Sequence, residues 1–275
     1  MLDFNIDKEK CIQCCQCVLD CPAMVIKMKG EYPQIDFKKA KGCIRCQHCM
    51  TVCPTGALSI LGLNPEDGLL LKNNFPEPDR MKTLIKGRRS VRRFKSEPLS
   101  DDLIMDLLET AGHAPTGINA EQVHFTVIAD TEMMAKFSTN ILDKLVVEMD
   151  EGRVPESVKY FESFMRAWKY KQRDVIFRSA PHMVVASAPT QSPTPIADCF
   201  IALSYFELYA QSHGVGTLWN GIVKWAIDAM LPEQKEVLGI PHDHTVGYVM
   251  VFGKPDVKYY RAVQKNNVKI SKVSL

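Results

Sequence analysis

The sequence has no hydrophobic run of the ~20 apolar residues that a membrane-spanning helix requires. Its first segment, Met1–Lys10, contains no apolar stretch of the kind found in secretory leaders, so we expect neither a membrane span nor export. Charge of one sign is not in excess either, because 34 Lys and Arg residues face 32 Asp and Glu residues, for a net charge of +2. That balance argues against a protein that binds nucleic acid or a membrane surface through bulk electrostatics.

The composition is otherwise that of an ordinary globular protein, apart from the distribution of cysteine. Hydrophobic residues make up 46% and charged residues 24% of the chain, which excludes a disordered or collagen-like protein. The length of 275 residues predicts two domains, at roughly 150 residues per domain. Ten cysteines are present, and nine of them lie between Cys11 and Cys53.

Eight of these cysteines form two runs with identical spacing. In each run three cysteines are separated by two residues, and a fourth follows three residues later, directly before a proline. The positions are Cys11, Cys14, Cys17 and Cys21, then Cys43, Cys46, Cys49 and Cys53. Three thiolates at this spacing can hold one face of an iron–sulfur cubane, while the fourth leaves the loop and binds the other cluster. The repeated unit is too short to bury a core of its own.

The spacing therefore predicts two 4Fe–4S clusters. The ligands of one are Cys11, Cys14, Cys17 and Cys53, and those of the other are Cys43, Cys46, Cys49 and Cys21. Disulfide bonds are the first alternative, but they require an oxidising compartment. Zinc is the second, but zinc modules do not need a third cysteine two residues on. Over residues 1–62 the sequence resembles the bacterial two-cluster ferredoxins. Cys15 and Cys199 have no place in this pattern and are expected to be buried thiols.

After this domain the composition changes twice. Residues 63–79 are rich in Asn, Pro, Gly and acidic residues, which is typical of a linker. Residues 80–275 then alternate helical and strand patterns. We expect an amphipathic helix over Asp101–Gly112, with Ser100 as its N-cap. Strands are expected over Val123–Ile128, His182–Ala188 and Val246–Phe252, and long helices over Glu156–Phe177 and Ile196–Ser212. This order predicts an α+β layered domain.

Four segments of the second domain could carry chemistry. Arg88, Arg89, Ser90 and Arg92 could bind a phosphate through forked hydrogen bonds, although a solvated or nucleic-acid-binding basic face is the alternative. Ala114–Asn119 is a tight turn that offers backbone donors. His213–Gly221 contains GxG but follows a helix, which excludes a Rossmann dinucleotide site. Cations after a final strand could complete a phosphate site or form a charged tail.

The order of these four segments resembles the FMN-dependent nitroreductase family over about residues 80–275. With the cysteine runs, the chain is similar to ferredoxin–nitroreductase fusions of anaerobic microbes. The resemblance implies an α+β sandwich in a domain-embracing homodimer that binds FMN. The residues it implies are Arg88, Arg89, Ser90 and Arg92 at the phosphate and pyrimidine edge, and Pro115, Thr116, Gly117 and Asn119 from the partner subunit. Backbone N–H groups of Leu218, Asn220 and Gly221 would reach the flavin ring, and Lys265, or else Arg261, would close on the phosphate.

Some positions depart from the family pattern or invite other interpretations. Glu121 stands where the family has Gln, and Gln122 and Val123 stand where it has Pro and Trp. These departures affect the substrate pocket. His242 and His244 lack a third metal ligand nearby, so we do not assign a metal to them. The mixed aromatic and basic stripe Trp168–Arg173 is expected to face solvent or a dimer partner. The tail Asn266–Val273 alternates as a strand would, and the resemblance implies that it embraces the partner.

These features predict a protein that receives electrons one at a time and delivers them in pairs. A cluster passes one electron at a time, whereas a flavin takes two singly and releases them as a hydride from N5. The donor would be ferredoxin or NAD(P)H, and the acceptor a nitro, quinone or activated-alkene compound. No side-chain set for acid–base or nucleophilic catalysis is evident. The alternatives are an electron-transfer or redox-sensing module that serves a protein partner, and a domain without flavin. The thiol ligands favour a reducing, anaerobic cytoplasm.

Overall fold

The computed structural model describes residues 2–265 and 267–274, and the chain divides into two compact units. The first contains the chain up to Pro76 together with Ile118–Ala120. The second contains Glu77–Gly117 and the chain from Glu121 onward. Among the residues that the structure describes, no helix has the length and apolar character needed to cross a membrane.

The first unit consists of two small antiparallel sheets and two one-turn helices. Its elements are β1 (Phe4–Ile6), α1 (Gln16–Leu19), β2 (Ile26–Lys29), β3 (Tyr32–Ile35), α2 (His48–Thr51) and β4 (Leu58–Ile60). Strand β1 pairs with β4 and β2 with β3. Val25, Ile26, Leu58 and Ile60 form a small buried core with Cys49. A core of this size rarely stabilises a domain unaided, so bound metal is an expected source of stability.

The second unit is built on one four-stranded antiparallel sheet. Its strands are β5 (His124–Ile128), β6 (His182–Pro189), β7 (Gly216–Trp219) and β8 (His244–Gly253), in the spatial order β5-β6-β8-β7. Side chains of β6 alternate between two hydrophobic cores: Met183 and Val185 belong to one, and Val184 and Ala186 to the other. Because both faces of the sheet are covered, the unit has three layers.

Within the described part of this unit, seven α-helices accompany the sheet. They are α3 (Pro78–Gly87), α4 (Asp101–Ala111), α5 (Thr131–Asp150), α6 (Glu162–Lys171), α7 (Pro195–Ser212), α8 (Gly221–Trp225) and α9 (Gln234–Val237). Helices α5, α6 and α8 contribute to the first core, and α4 and α7 to the second. Ser100 Oγ accepts the Leu103 N–H at 3.4 Å, which confirms the predicted N-cap of α4. Asp130 Oδ1 caps α5 in the same way by accepting the Met133 N–H at 2.7 Å.

The predicted long helix over Glu156–Phe177 is wrong. The segment begins as a 3-10 helix over Glu156–Phe161 and continues as α6, which ends where Gln172 adopts a φ of +49°. The Asp174 carboxylate then accepts three backbone N–H bonds from the residues that follow it, at 2.7–3.0 Å. This local pattern satisfies donors that a helix would otherwise use, so the chain forms a turn before β6.

Three further elements differ from the sequence-based expectation. Helix α5 and strand β7 form where no element was predicted, and β7 lies inside the glycine-rich segment His213–Gly221. The predicted tail strand Asn266–Val273 is not formed by residues 267–273, which are exposed, and Asn266 lies outside the described residues. Alternating side chains alone do not make a strand, because the backbone needs an adjacent strand for ladder hydrogen bonds.

Candidate functional site

The eight cysteines of the two runs line two small cavities in the first unit. One cavity has Cys11, Cys14, Cys17 and Cys53 in its wall. The other has Cys43, Cys46, Cys49 and Cys21. Each cavity therefore combines three cysteines of one run with the fourth cysteine of the other, which is the crossed arrangement expected of two 4Fe–4S sites.

The backbone of the two cysteine loops is the same. Gln13 and Arg45, at equivalent positions, have φ values of 58° and 59°, and Cys15 and Gln47 have values of 60° and 59°. A positive φ costs energy for residues other than glycine, and such strain is typical of loops that wrap a ligand. Its recurrence at four matched positions indicates that both loops are shaped around the same kind of group.

Two of the eight thiols, Cys17 and Cys49, are shifted by burial toward the protonated form, whereas at Cys53 burial is outweighed by backbone and Thr55 hydrogen bonds to its sulfur, which lower its pKa. Burial, followed by the neighbouring Cys53, Cys14 and Cys11, raises the pKa of Cys17 to about 11. Burial also raises the pKa of Cys49 to about 12, reinforced by the cysteines around it. Thiols packed in this way carry protons until a cation replaces them, and four sulfur donors suit iron–sulfur chemistry. The residues of both cavities thus fit a 4Fe–4S cluster.

The two remaining cysteines differ from each other. Cys199 is fully buried in α7, and burial raises the pKa of its thiol to about 12, so the expectation of a buried thiol is confirmed. Cys15 is only half-buried and contributes to the wall of the Cys11 cavity, so the same expectation is wrong for it. The left-handed turn at Cys15 keeps the residue at the surface of its loop, where the second loop has Gln47.

In the second unit, a buried carboxylate fixes the segment that contains Arg88, Arg89, Ser90 and Arg92, called the arginine segment below, to α7 and β7. Glu207 Oε1 accepts bonds from Arg88 Nη1 and Thr217 Oγ1, both at 3.0 Å. The Val91 N–H donates to the carbonyl of Thr217 at 2.8 Å, so the segment runs beside the outer edge of β7. A Cβ on Gly216 would lie 2.6 Å from the Val91 side chain, so only glycine permits this approach.

In the middle of the arginine segment, a backbone carbonyl group accepts two side-chain hydrogen bonds. The Ser90 carbonyl accepts bonds from Arg92 Nη1 at 3.5 Å and from the Tyr259 hydroxyl at 3.4 Å. Arg89 and Ser90 are half-buried and Arg92 is exposed. The chain beyond Arg92 is joined to the residues after β8, because Arg93 Nη2 donates to the Asp256 carbonyl at 2.7 Å.

A further arginine, Arg178, lies close to this segment. It is half-buried, and its pKa is lowered by burial first and by the positive charge of Arg92 second. Arg178 has a φ of +62° within the turn that Asp174 organises. Among the described residues neither Arg92 nor Arg178 forms a salt bridge with a carboxylate. Two neighbouring guanidinium groups that form no salt bridge are suited to an anionic ligand, although the charge of Asp174 also acts on Arg178.

Strand pairing corrects the expected donors after the GxG motif. The Asn220 N–H donates to the Val249 carbonyl at 2.8 Å, and Leu218 is paired with Val251 in the same register. In an antiparallel ladder alternate residues point their N–H groups to opposite sides, so Leu218 and Asn220 both face β8. Their N–H groups are therefore used by the sheet. The N–H groups of Thr217 and Trp219 point to the opposite edge of β7, along which the arginine segment pairs at Thr217.

The Asn220 side chain is also structural. Its Oδ1 accepts the Val223 N–H at 3.2 Å and caps α8, and its Nδ2 donates to the Ile176 carbonyl at 3.0 Å. Asn220 thereby joins the end of β7 to the Arg178 turn. Gly221 begins α8, where a Cβ would lie 2.5 Å from the Tyr248 hydroxyl.

The turn Ala114–Asn119 lies at the other end of α7. The Gly117 N–H donates to Asp198 Oδ1 at 3.1 Å, and Asp198 also accepts the Thr194 hydroxyl at 2.8 Å. Asp198 and Glu207 are nine residues apart on one helix, a rise of about 14 Å. The arginine segment and this turn therefore contact opposite halves of α7.

The remaining residues of this turn have separate contacts. Thr116 Oγ1 accepts the Glu121 N–H at 2.9 Å, while Pro115 precedes it without a donor. Asn119 groups with the first unit, where its Nδ2 donates to the Ile44 carbonyl at 3.2 Å. In place of the family's Gln-Pro-Trp sequence, Gln122 Oε1 accepts the Ser192 hydroxyl at 2.6 Å.

Of the two C-terminal cations, Arg261 is the better placed. It lies in the wall of an open groove that is also formed by Gly87, Val91 and Tyr259. Tyr259 connects this part of the chain to Ser90. Lys265 is exposed and is not part of that groove wall. The structure thus places Arg261 in this groove wall, whereas the sequence-based preference for Lys265 stays a prediction.

Comparison with known proteins agrees with this division of the chain. Residues 10–58 match the model of the 4Fe-4S dicluster domain, and residues 85–254 match the model of the nitroreductase family. The second match covers more than half of the chain. The chain belongs to the nitroreductase family. The expectation of an oxidoreductase that joins a ferredoxin domain to a nitroreductase-family domain is thus confirmed.

Curated relatives align with most of the nitroreductase-family unit. A putative NADH dehydrogenase/NAD(P)H nitroreductase of Archaeoglobus fulgidus is 26% identical over 190 residues, which are 67% of this chain and 91% of the relative. An iodotyrosine deiodinase of Thermotoga neapolitana is 26% identical over 49% of this chain and 70% of the relative. Relatives named for different reactions share the unit, so the family alone does not define the acceptor.

Solved structures confirm the α+β layered fold. A nitroreductase with bound FMN from Desulfitobacterium hafniense has a TM-score of 0.56 and 27% identity, and covers 70% of this chain and 98% of its own. A nitroreductase with bound FMN from Bacteroides fragilis also has a TM-score of 0.56, at 21% identity, and covers 70% of this chain and 98% of its own.

Sequence reasoning missed two residues of this nitroreductase-family unit. Glu207 was not selected because it lies in an apolar helix, yet a lone acidic residue on a buried helical face is itself a signal of a buried partner. Arg178 was not selected because it directly follows the predicted helix Glu156–Phe177, which in the structure ends at Lys171. Asp174, four residues earlier, was a signal of a side-chain-capped turn there.

Proposed function

We propose that this protein uses two 4Fe–4S clusters and FMN to pass electrons from a one-electron donor to a nitro, quinone or activated-alkene compound. The observation that carries the proposal is the pair of crossed four-cysteine cavities in a chain of the nitroreductase family. When bound, the clusters supply one-electron transfer and the flavin supplies conversion to electron pairs. We also propose the predicted domain limits, residues 1–62 and 80–275 with a linker over 63–79.

The chain's own residues would divide the work of holding FMN. Arg88, Arg89 and Ser90 form the anchor for the phosphate, and Arg261 is the preferred C-terminal cation. The Glu207 carboxylate keeps Arg88 on the β7 edge, so the anchor does not rearrange on binding. The binding of FMN by the nitroreductase of D. hafniense, at 27% identity, supports this proposal.

Arg92 and Arg178 would lie at the electron-rich edge of the bound ring. Two guanidinium groups stabilise negative charge that increases on reduction, which is electrostatic stabilisation by preorganised groups. The N–H of Trp219, on the edge of β7 opposite β8, is the backbone donor proposed for the ring, with Gly221 beside it. Pro115, Thr116, Gly117 and Asn119 are proposed to complete the site of a partner subunit in a homodimer.

An anaerobic reductive titration tests the proposal. Purified protein should contain FMN and about eight iron atoms per chain, four for each cluster. Reduced ferredoxin and NADH are then compared as donors, with absorbance of the clusters and of the flavin followed separately. We expect ferredoxin to reduce the clusters and then the flavin, and a nitroaromatic compound or a quinone to reoxidise both. Reduction of the clusters without any reoxidation by small molecules would instead favour transfer to a protein partner.

Two parts of the proposal have their own measurements. Light scattering at low micromolar concentration should give the mass of a dimer, and a monomer would contradict the shared site. The compartment that the proposal requires is a reducing cytoplasm, since all eight ligands must remain thiolates. Expression under aerobic and anaerobic conditions, followed by iron analysis, tests how strongly the clusters depend on it.

A further inference from the structure

The two fourth-ligand segments of the first unit have the same backbone. In the first, the Met24 N–H donates to the Cys21 carbonyl at 3.0 Å, and Met24 has a φ of +49°. In the second, the Gly56 N–H donates to the Cys53 carbonyl at 3.3 Å, and Gly56 has a φ of +62°. Both segments thus turn in the same way after the cysteine, so differences between them arise from side chains.

One difference concerns a donor to the cysteine sulfur. Thr55 Oγ1 lies 3.8 Å from Cys53 Sγ, and the Ala57 N–H donates to the same sulfur at 3.2 Å. An iron-bound thiolate has no proton, so the hydroxyl must be the donor once a cluster is present. At the equivalent position of the other segment the residue is Ala23, which has no hydroxyl.

We propose that Thr55 is a redox-tuning residue that raises the reduction potential of the cluster bound by Cys53, and that the two clusters are therefore inequivalent. Reduction adds one electron to the cluster, and no bond to the protein forms or breaks. The extra negative charge is shared by the thiolate sulfurs, so a donor to Cys53 stabilises the reduced form more than the oxidised form. The inference rests on the proposed function, because it requires both clusters.

A positive charge near the other cavity acts in the same direction on the other cluster. Arg45 is in the wall of that cavity, where the first loop has Gln13. The Arg45 side chain is exposed. Exposed charges are screened by salt, whereas a hydrogen bond at contact distance is not. The dependence of each potential on ionic strength therefore separates the two effects.

The test compares hydroxyl groups at matched positions in the full-length, anaerobically reconstituted protein. Thr55→Val keeps the shape of the side chain and removes the donor, Thr55→Ser keeps the donor, and Ala23→Ser introduces one at the other segment. Ala23→Val is the control for added volume. The readout is the pair of one-electron midpoint potentials from potentiometry followed by electron paramagnetic resonance, at low and high salt.

We expect Thr55→Val to make the equilibrium constant for reduction of one cluster about fivefold smaller. At 59 mV per tenfold change, its midpoint potential should fall by about 41 mV. The other midpoint should not move, Thr55→Ser should restore the first, and the shift should persist at high salt. Ala23→Ser should raise the other midpoint, and Ala23→Val should not.

Results against the inference are separable from results against the proposed function. The inference is overturned if Thr55→Val leaves both midpoints unchanged, moves both equally, or is not reversed by Thr55→Ser. A shift that disappears at high salt also overturns it. An iron content of about four atoms per chain in the unmodified protein contradicts the proposed two-cluster relay itself. Iron content is therefore measured before the potentials.

Discussion

Replacing Glu207 by alanine should destabilise the nitroreductase-family unit, because this carboxylate joins three segments of the fold. It lies on α7 and accepts bonds from Arg88, at the start of the arginine segment, and from Thr217 on β7. Its side chain is only 8% exposed, so water cannot replace it without opening the structure. Glu207→Ala leaves both donors without their acceptor, whereas Glu207→Gln keeps one acceptor oxygen and removes the charge.

The size of the effect follows from the two bonds. A hydrogen bond between charged groups contributes ~1.5–3 kcal/mol, and one from a neutral hydroxyl ~1 kcal/mol. The Arg88 side chain is 29% exposed, so water recovers part of the loss at the guanidinium group. We therefore expect Glu207→Ala to lower the free energy of unfolding by about 2–3 kcal/mol and Glu207→Gln by about 1 kcal/mol. For a unit of this size, Glu207→Ala should lower Tm by about 4–10 °C.

Tryptophan fluorescence is the appropriate assay, because all three tryptophans, Trp168, Trp219 and Trp225, lie in the second unit. The signal therefore reports the unfolding of that unit and not of the cluster domain. Glu109→Ala, at an exposed site on α4, is the matched control and should change Tm little. If Glu207→Ala unfolds at the temperature of this control, or if Glu207→Gln is the less stable of the two, the reasoning from the buried network fails.

Three more outcomes are expected. Cys53→Ser and Cys21→Ser should each remove about half of the iron, while Cys15→Ser should not, as iron and sulfide analysis will test; full iron in Cys53→Ser would contradict the crossed ligands. Arg178→Gln should weaken retention of FMN about tenfold in equilibrium dialysis, whereas the exposed, ion-paired Arg166→Gln should not; equal losses would argue against a specific site. Burial lowers the pKa of His182 below 6.5, so its stabilising effect is complete above that pH and is lost as pH falls toward the folded-state value. The urea concentration at the unfolding midpoint should therefore decrease as the pH is lowered below about 6.5. His182→Gln should make this decrease smaller.

The parts of the fold that sequence could predict are those governed by local chemistry. The cysteine spacing identified eight of the nine cysteines that line the two cavities, because the geometry of a cubane restricts which spacings can surround it, and it did not anticipate Cys15 in the wall. Ser100 was recognisable as an N-cap because a hydroxyl directly before an amphipathic helix accepts one of its unpaired N–H groups.

Features that depend on contacts between distant parts of the chain could not be predicted from local sequence patterns. The pairing of β7 with β8 determines that Leu218 and Asn220 turn their N–H groups inward, and no local pattern states that register. Glu207 and Arg88 are 119 positions apart, so their contact could not be anticipated from either neighbourhood. The helix that was expected to continue to Phe177 ends because Asp174 captures the backbone beyond it, a case of side-chain competition with helix formation.

The crossed lining of the two cavities also has a consequence for the order in which the protein can be assembled during synthesis. The cavity with three cysteines from the first run is not complete until Cys53 has been made, and the other is complete only at Cys49. Neither site can therefore be loaded before most of the second run has been made. The site containing Cys21 has all its cysteines once Cys49 is made, before the site that awaits Cys53, although its three-cysteine loop is the later one in the chain.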